Sequence, residues 1–391
     1  MSTDRRRDAT HDGPNPRLKL RPSDLFHRDL VEIVEREARR YELCLVTDPD
    51  DPLFDDAYTL LSEGFDRDEL ETAEALRGFL RDDPYEPLDS GTYLLYFLIV
   101  ARDPQGRACG VRDGVVLVHP QLAPDLCVVY LARLYVPPWA RGTALSYWLR
   151  SAPVEVAASW LHGLHERGAL ALPRPDDRRG HYGMRLDLVA EMSWFTPLEP
   201  MSWQRLLWYG RGGFDALSPR DFPYLQPDFR DPEEVAATGQ EPLPYMLVVR
   251  RVDREQQATM PLDEATAVMR LLYDDFESFC APEVLATSLQ RVLDRLADPE
   301  VAAGGVVELL PLPTGPEELD RLIPLFEVTV YDRYYRGSSP FVDEELASEQ
   351  AREALAHPEW LRERLDAIAA AITPEVHGPL RIGALGPRTL G

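Results

Sequence analysis

The chain has 391 residues, 45% of them hydrophobic, and its 42 basic against 67 acidic side chains leave a net charge of −25 at pH 7. That length and apolar content provide for a sizeable core and two or three domains, and they exclude a disordered tail as the whole molecule. The acidic balance argues against nucleic-acid backbone binding as the main activity; it is compatible with ordinary solubility and with attraction of cations or amine substrates.

Residues 1–28 are polar and charged, and are expected as a disordered arm. A charged helix is expected over 30–41 and a first strand over 42–46, ending at the turn-forming Asp48-Pro49-Asp50-Asp51-Pro52. Helical spacing follows over 53–61 and 68–80. Residues 92–101 are the clearest strand of the chain, turned by Asp103-Pro104-Gln105-Gly106 into a second strand over 108–118. A third, 126–136, is stopped by Pro137-Pro138 and feeds an Arg141-Gly142 turn that opens a helix. Pro153 is expected to kink that helix or restart it with Ser151 as cap, and helical residues run to about Arg167.

Residues 184–194 (MRLDLVAEMSW) alternate apolar and polar side chains like a half-buried strand. A helix over 200–211, a Gly212-Gly213 turn and a strand over 244–252 complete this half. From about Asp253 amphipathic helices dominate, at 263–279, 282–296, 343–356 and 358–372, with an apolar strand at 305–312 and a loose tail at 378–391. The expected division is the arm 1–28, an α/β (α+β) domain at 29–253 with a mixed central sheet and flanking helices, and a mainly helical domain or extension at 254–391. No repeat of constant period is visible.

The turn after Pro138 carries the chemistry. Amides in the first turn of a helix lack intrahelical acceptors and sit at the positive end of its dipole, so Ala140, Arg141, Gly142, Thr143, Ala144 and Leu145 can cradle a phosphate. Gly142 permits close backbone approach.

Other chemistries lose their support. The one lysine, Lys19, lies in the N-terminal arm, so a Walker loop, a kinase-type lysine and a pyridoxal Schiff base are excluded. Cys44, Cys109, Cys127 and Cys280 are widely spaced, which indicates neither a disulfide framework nor a thiolate metal site, and no metal is expected. No G-x-S-x-G elbow or G-x-G-x-x-G is present. The longest strongly apolar run, 93–101, is too short to cross a bilayer, and the N-terminal segment lacks the apolar stretch of a signal peptide, so a cytoplasmic location is expected. His162 and His165 read better as histidines near a helix C-terminus than as metal ligands. Arg211-Gly212-Gly213 reads as a turn, and the aromatic group Tyr331, Tyr334, Tyr335 and Phe341 as packing.

The order of elements over residues 40–252 resembles the GNAT superfamily of N-acetyltransferases. Its [Q/R]-x-x-G-x-[G/A] turn matches Trp139-Ala140-Arg141-Gly142-Thr143-Ala144 except at Trp139, and Tyr209-Gly210-Arg211-Gly212-Gly213-Phe214 matches the Y-x-x-x-G-F that ends a later helix. Residues 222–227 and the strand 244–252 resemble the closing hairpin. The resemblance implies acetyl-CoA or another acyl-CoA as co-substrate, with its pyrophosphate on 140–145 and its thioester between splayed strands 126–136 and 184–194. Leu134 and Val136 then lend backbone groups to the pantetheine arm. It implies Tyr209 as general acid, against simple packing beside Phe214. Glu191 is the chosen base, against a solvent-facing place on a half-exposed strand; relatives often carry a carboxylate where this chain has Tyr130, Ala132 and Arg133. The expected function is N-acyl transfer from acetyl-CoA to a primary amine, of a small molecule or a protein, in a ternary complex. The alternative is a non-catalytic CoA-binding sensor or interaction module, and a homo-oligomer is left open.

Overall fold

Strand β1, Glu42–Val46, leads into helix α1, Pro52–Gly64, in a computed structural model that describes residues 36–318 apart from 37–38, 66–68, 178–180, 194–199, 219–221, 223, 227–232, 234–236, 238–242, 278–279, 281 and 315–317. The arm 1–28, the helices expected at 343–356 and 358–372 and the aromatic group 331–341 lie outside the described residues. Asp51 sets the start of α1: its carboxylate accepts from the Leu53 amide at 2.9 Å, and Pro52 takes a first-turn position where no amide is needed. Helix α2, Ala73–Arg81, begins later than the expected residue 68 because Thr72 is its cap, accepting from the Ala75 amide at 3.2 Å.

Strands β2 (Tyr93–Arg102), β3 (Ala108–His119) and β4 (Ala123–Tyr130) form an antiparallel meander with β1 outside it. The strand expected to run unbroken over 126–136 is interrupted. Residues 131–133 leave the ladder, and the chain rejoins β3 as β5, Leu134–Tyr135. Asp113 on β3 pins the break: its carboxylate accepts from the Arg133 amide at 3.0 Å and the Arg133 guanidinium at 2.7 Å, while its own amide donates to the Arg133 carbonyl. Gly114 makes this possible, since a Cβ there would lie 2.0 Å from the Tyr130 carbonyl oxygen.

Helix α3, Leu145–Glu166, follows the 3-10 turn Pro138–Ala140 and continues through Pro153 without restarting. The Ser151 hydroxyl donates to the Tyr147 carbonyl at 3.1 Å instead of capping a new helix. Strand β6, Arg185–Ser193, pairs with β4 in the one parallel ladder among the described strands. Next come α4 (Pro200–Arg211), β7 (Asp215–Leu217), β8 (Leu225–Gln226) and β9 (Leu243–Arg251). They are followed by β10 (Thr259–Pro261), α5 (Leu262–Phe276), α6 (Pro282–Leu296), the short α7 (Pro299–Ala302) and β11 (Val306–Pro311). The sheet runs β1-β2-β3-β4-β6-β9-β7-β11-β10, so β10 and β11 extend the same sheet, with β5 on β3 and β8 on β9.

Two cores flank the sheet. One joins α3 and α4 to residues such as Val116, Val129 and Leu188; the other joins α1, α2, α5 and α6 to Val115, Val128 and Val189. Alternate residues of one strand thus face opposite layers, and each fully buried Val or Leu contributes about 1.5–3 kcal/mol. Arg254 clamps the second layer to the sheet, donating to Asp187 on β6 at 2.7 Å and Glu264 on α5 at 2.8 Å; Arg185 bridges Glu264 to Asp125. The four cysteines are buried and unbridged, and no described helix is long and apolar enough to cross a membrane.

Candidate functional site at the parting strands

The parallel ladder of β4 and β6 ends at Tyr130 and Val189, with one more bond from the Leu131 amide to the Val189 carbonyl at 2.7 Å. Beyond it the chain leaves β6 and returns to β3 as β5, while β6 continues on β9 alone as far as Ser193. The gap opens into a cavity of about 910 Å³ that reaches Leu134, Val136, Arg141, Gly142, Glu191 and Tyr209, six of the site residues expected from the sequence. Backbone groups along such a gap are available to an extended ligand as they would be to an added strand.

The cradle at the start of α3 is displaced from the expected span. The Ala140 and Arg141 amides donate to the Pro137 and Pro138 carbonyls, because the two prolines set up a 3-10 turn, and the Leu145 amide donates to the Thr143 hydroxyl at 3.3 Å. The Ala140, Arg141 and Leu145 amides, expected in the cradle, thus already have acceptors within the protein. The amides of Gly142, Thr143, Ala144 and Ser146 have no acceptor among the described residues. Ala144, at the N-cap, has no side-chain acceptor, and no acidic residue occupies the first turn, so the positive end of the helix dipole is uncompensated. Gly142 holds φ at +77° and a Cβ there would meet nothing within 4 Å, so the loop is open on that side. Arg141 lines the cavity with its Nε on the Val136 carbonyl at 2.9 Å. Trp139 points away, half-exposed, with the Arg107 guanidinium 3.6 Å from its ring centroid.

Glu191 lies on β6 just past the parting, where the even-numbered neighbours Ala190 and Met192 belong to the α3 layer and Glu191 faces the other. Its carboxylate accepts from the Tyr130 hydroxyl at 2.7 Å, the Gln226 amide at 2.7 Å and the Tyr224 hydroxyl. Removal from water pushes the carboxyl up to about 7, and the hydrogen bonds from Tyr224, Tyr130 and Gln226 hold it from going further. It is thus a wall residue of the cavity and not a solvent-facing one.

Tyr209 sits on α4 in the other layer, its ring edge-on to Trp208 and Phe214 at 4.9 and 5.2 Å. The turn Arg211-Gly212-Gly213 closes behind it, with the Gly212 and Phe214 amides on the Tyr209 carbonyl. Burial raises the phenol above its ordinary value, against the pull of Arg112, Arg150 and Arg205. Its hydroxyl has no hydrogen-bond partner among the described residues and the ring lines the cavity. Packing and access therefore coexist at this residue.

Three features escaped the sequence. Arg112 on β3 is buried in the cavity wall, its Nε and Nη2 unpartnered, and desolvation lowers its guanidinium to about 10. A charged residue inside the apolar run GVRDGVVLV was the available signal. Tyr224 and Gln226, which hold Glu191, belong to the expected closing hairpin, but nothing local shows what they reach. Asp275 on α5 also lines the cavity, and no spacing connects it to the site. His162 and His165 take local partners, Glu166 at 3.1 Å and the Leu170 carbonyl at 3.1 Å.

Three solved structures can be set beside this chain. A protein from Bacteroides thetaiotaomicron described as a GNAT-family acetyltransferase shares 18% identity at a TM-score of 0.31, over 54% of this chain and 86% of its own. An acyl-CoA N-acyltransferase from Klebsiella pneumoniae shares 12% at 0.24, over 54% and 97%. An aminoglycoside acetyltransferase from an uncultured soil metagenomic sample, in complex with sisomicin, shares 14% at 0.22, over 34% and 76%. The structural matches are to GNAT acetyltransferases. No protein-family model and no curated protein matches the chain.

Proposed function

We propose that the cleft between β4 and β6 moves an acyl group from acyl-CoA to an amine. The observation that carries this reading is the meeting, in one cavity, of Gly142 and Ser146 at the start of α3, whose amides have no acceptor among the described residues, and a carboxyl that ionises near neutrality. The amides of Gly142, Thr143, Ala144 and Ser146, with the Arg141 guanidinium beside them, suit a pyrophosphate. The open edges of β5 at Leu134 and of β6 beyond Ala190 suit the amides of a pantetheine arm, with Val136, whose carbonyl Arg141 already holds, next to them.

Acyl-CoA supplies the activated carbonyl when bound; the rest falls to the chain. Glu191 accepts the proton that the amine nitrogen gives up as the N–C bond forms, directly or through one water. Tyr209, from the opposite layer, donates a hydrogen bond and then a proton to the sulfur as the C–S bond breaks. Because burial keeps the phenol protonated, it is a donor across the working pH range.

The test has two readouts. Titration with acetyl-CoA should show saturable binding, and thiol release with a mixed amine panel should exceed background. Tyr209→Phe should lower turnover about 10²- to 10⁴-fold with CoA affinity unchanged, as loss of a proton donor does. Binding without release for any amine would leave a CoA-binding module; no binding at all would remove the reading.

A further inference from the structure

The cavity is lined by charges of both signs. Arg141 stands in the turn before α3 and Arg205 and Arg211 on α4, whereas Glu69, Glu71, Glu191 and Asp275 come from the α1–α2 connection, β6 and α5. Three of these acids are provided for within the protein. Glu71 is paired with Arg133, Glu69 accepts from the Tyr245 hydroxyl at 3.5 Å, and Glu191 has its three donors.

Asp275 differs from them. It is 93% buried, being 7% exposed, yet its carboxylate opens onto the cavity with no hydrogen-bond donor among the described residues. The charged groups that act on it most are Glu71 from the α1–α2 connection, Arg133 after β4, Glu191 from β6 and Asp113 from β3. Arg133 is the one cation of that set, and it is already committed to Asp113 and Glu71. A buried carboxyl among three others and one committed arginine lacks a positive partner, so its ionised form is costly until a cation reaches it.

We propose that Asp275 binds a second ammonium group of the acceptor, so that the acceptors of this cleft are small polyamines, and Asp275 is a specificity-determining residue from outside the expected 29–253 domain. This deepens the acyl-transfer reading and rests on it for the word acceptor. The geometry needs one ammonium near Asp275 while the reacting nitrogen, uncharged when it attacks, lies near Glu191. A mono-amine leaves Asp275 as it is; a polyamine satisfies it. An acidic side chain on α5 thus selects by charge count, whereas the apolar Phe79, Leu94 and Phe276 of the same wall accept the methylene spacers.

Calorimetric titration of the full-length protein without CoA, with spermidine and with 1-aminobutane, separates this inference from the transferase reading, which stands or falls on acetyl-CoA. Spermidine should bind at least about tenfold more tightly than 1-aminobutane, the ratio expected for one charge-assisted hydrogen bond in a buried site. Asp275→Asn should collapse that ratio towards unity, and Asp275→Glu should retain part of it. Should Asp275→Asn fail to fold, the heat of spermidine binding to Glu191→Gln near neutral pH is compared in buffers of different ionisation enthalpy. There the Asp275 carboxyl, held at about 8 first by burial and then by Glu71, must release a proton to pair with the ammonium. Equal affinities for the two amines in the wild-type protein, a ratio that survives Asp275→Asn, or binding without proton release in Glu191→Gln would each overturn it.

Discussion

Glu191 shows how one side chain can be poised by its surroundings. Loss of water raises its carboxyl from 4.5 to about 7, although Tyr224, Tyr130 and Gln226 all favour the ionised form. A base must be free of its proton at working pH and still hold one when it receives it, and a value near neutrality meets both needs. The turnover number at saturating amine should therefore rise with pH below about 7 and level off above it; Glu191→Gln should lower it about 10²- to 10⁴-fold and remove the bend. A pH–rate profile of both proteins checks this, and an unchanged bend in Glu191→Gln would assign it to another group. The sign for stability is opposite. A carboxyl raised in the folded state is held protonated there, so its favourable contribution is full below the unfolded value and is lost as pH rises towards about 7. At this scale position along a strand was enough to single out Glu191, whereas Asp275 and Arg112 owe their importance to residues far off in the chain. Their local sequence carries no trace of those neighbours.

Between elements, the decisive event is the departure of β4 from β6. Residues 126–136 read LCVVYLARLYV, an apolar run with no punctuation before Pro137, so a single strand was the natural expectation. What breaks it is Asp113, twenty residues earlier, holding both the backbone and the guanidinium of Arg133. Arg133 is spent here on shaping the strand. The boundaries of β1, β6 and β9 were legible because alternation and turn residues are local; the break was not, because its cause is a long-range ion pair.

The cradle is a middle case. Gly142 and the helix start were visible, but the two prolines turn the first two amides inward, and the amides left without an acceptor among the described residues are those of 142–144 and 146. Gly142→Glu should abolish acetyl-CoA binding by placing a carboxylate at the amides, and Gly142→Asn, which tolerates a positive φ, should bind with little loss. Calorimetric titration of the two variants with acetyl-CoA, alongside circular dichroism for their fold, is decisive. Equal binding by Gly142→Glu and wild type would place the phosphates elsewhere.

Across the whole molecule, the residues after 253 matter to the site through the clamp at Arg254. The α5 helix bears Asp275 at its far end, while near its start Glu264 meets Arg254 and Arg185, themselves tied to Asp187 and Asp125. Asp187 and Glu264 are essentially buried, so removing their shared arginine strands charge in the interior and does more harm than an exposed pair would. Arg254→Ala should cost about 3–5 kcal/mol by urea denaturation, the range for breaking one side of a buried pair. The pH dependence identifies the origin of that loss. Glu264 is held below its ordinary value because the hydrogen bond from Arg254 and the charges of Arg254 and Arg185 outweigh its burial, the largest single influence. Its contribution is therefore present above the unfolded carboxylate value and fades as pH falls through the folded one. The difference between Arg254→Ala and wild type should shrink in acid, and a penalty of the same size at pH about 3 and about 7 would mean that packing of the arginine stem, not its charge, joins α5 to the sheet.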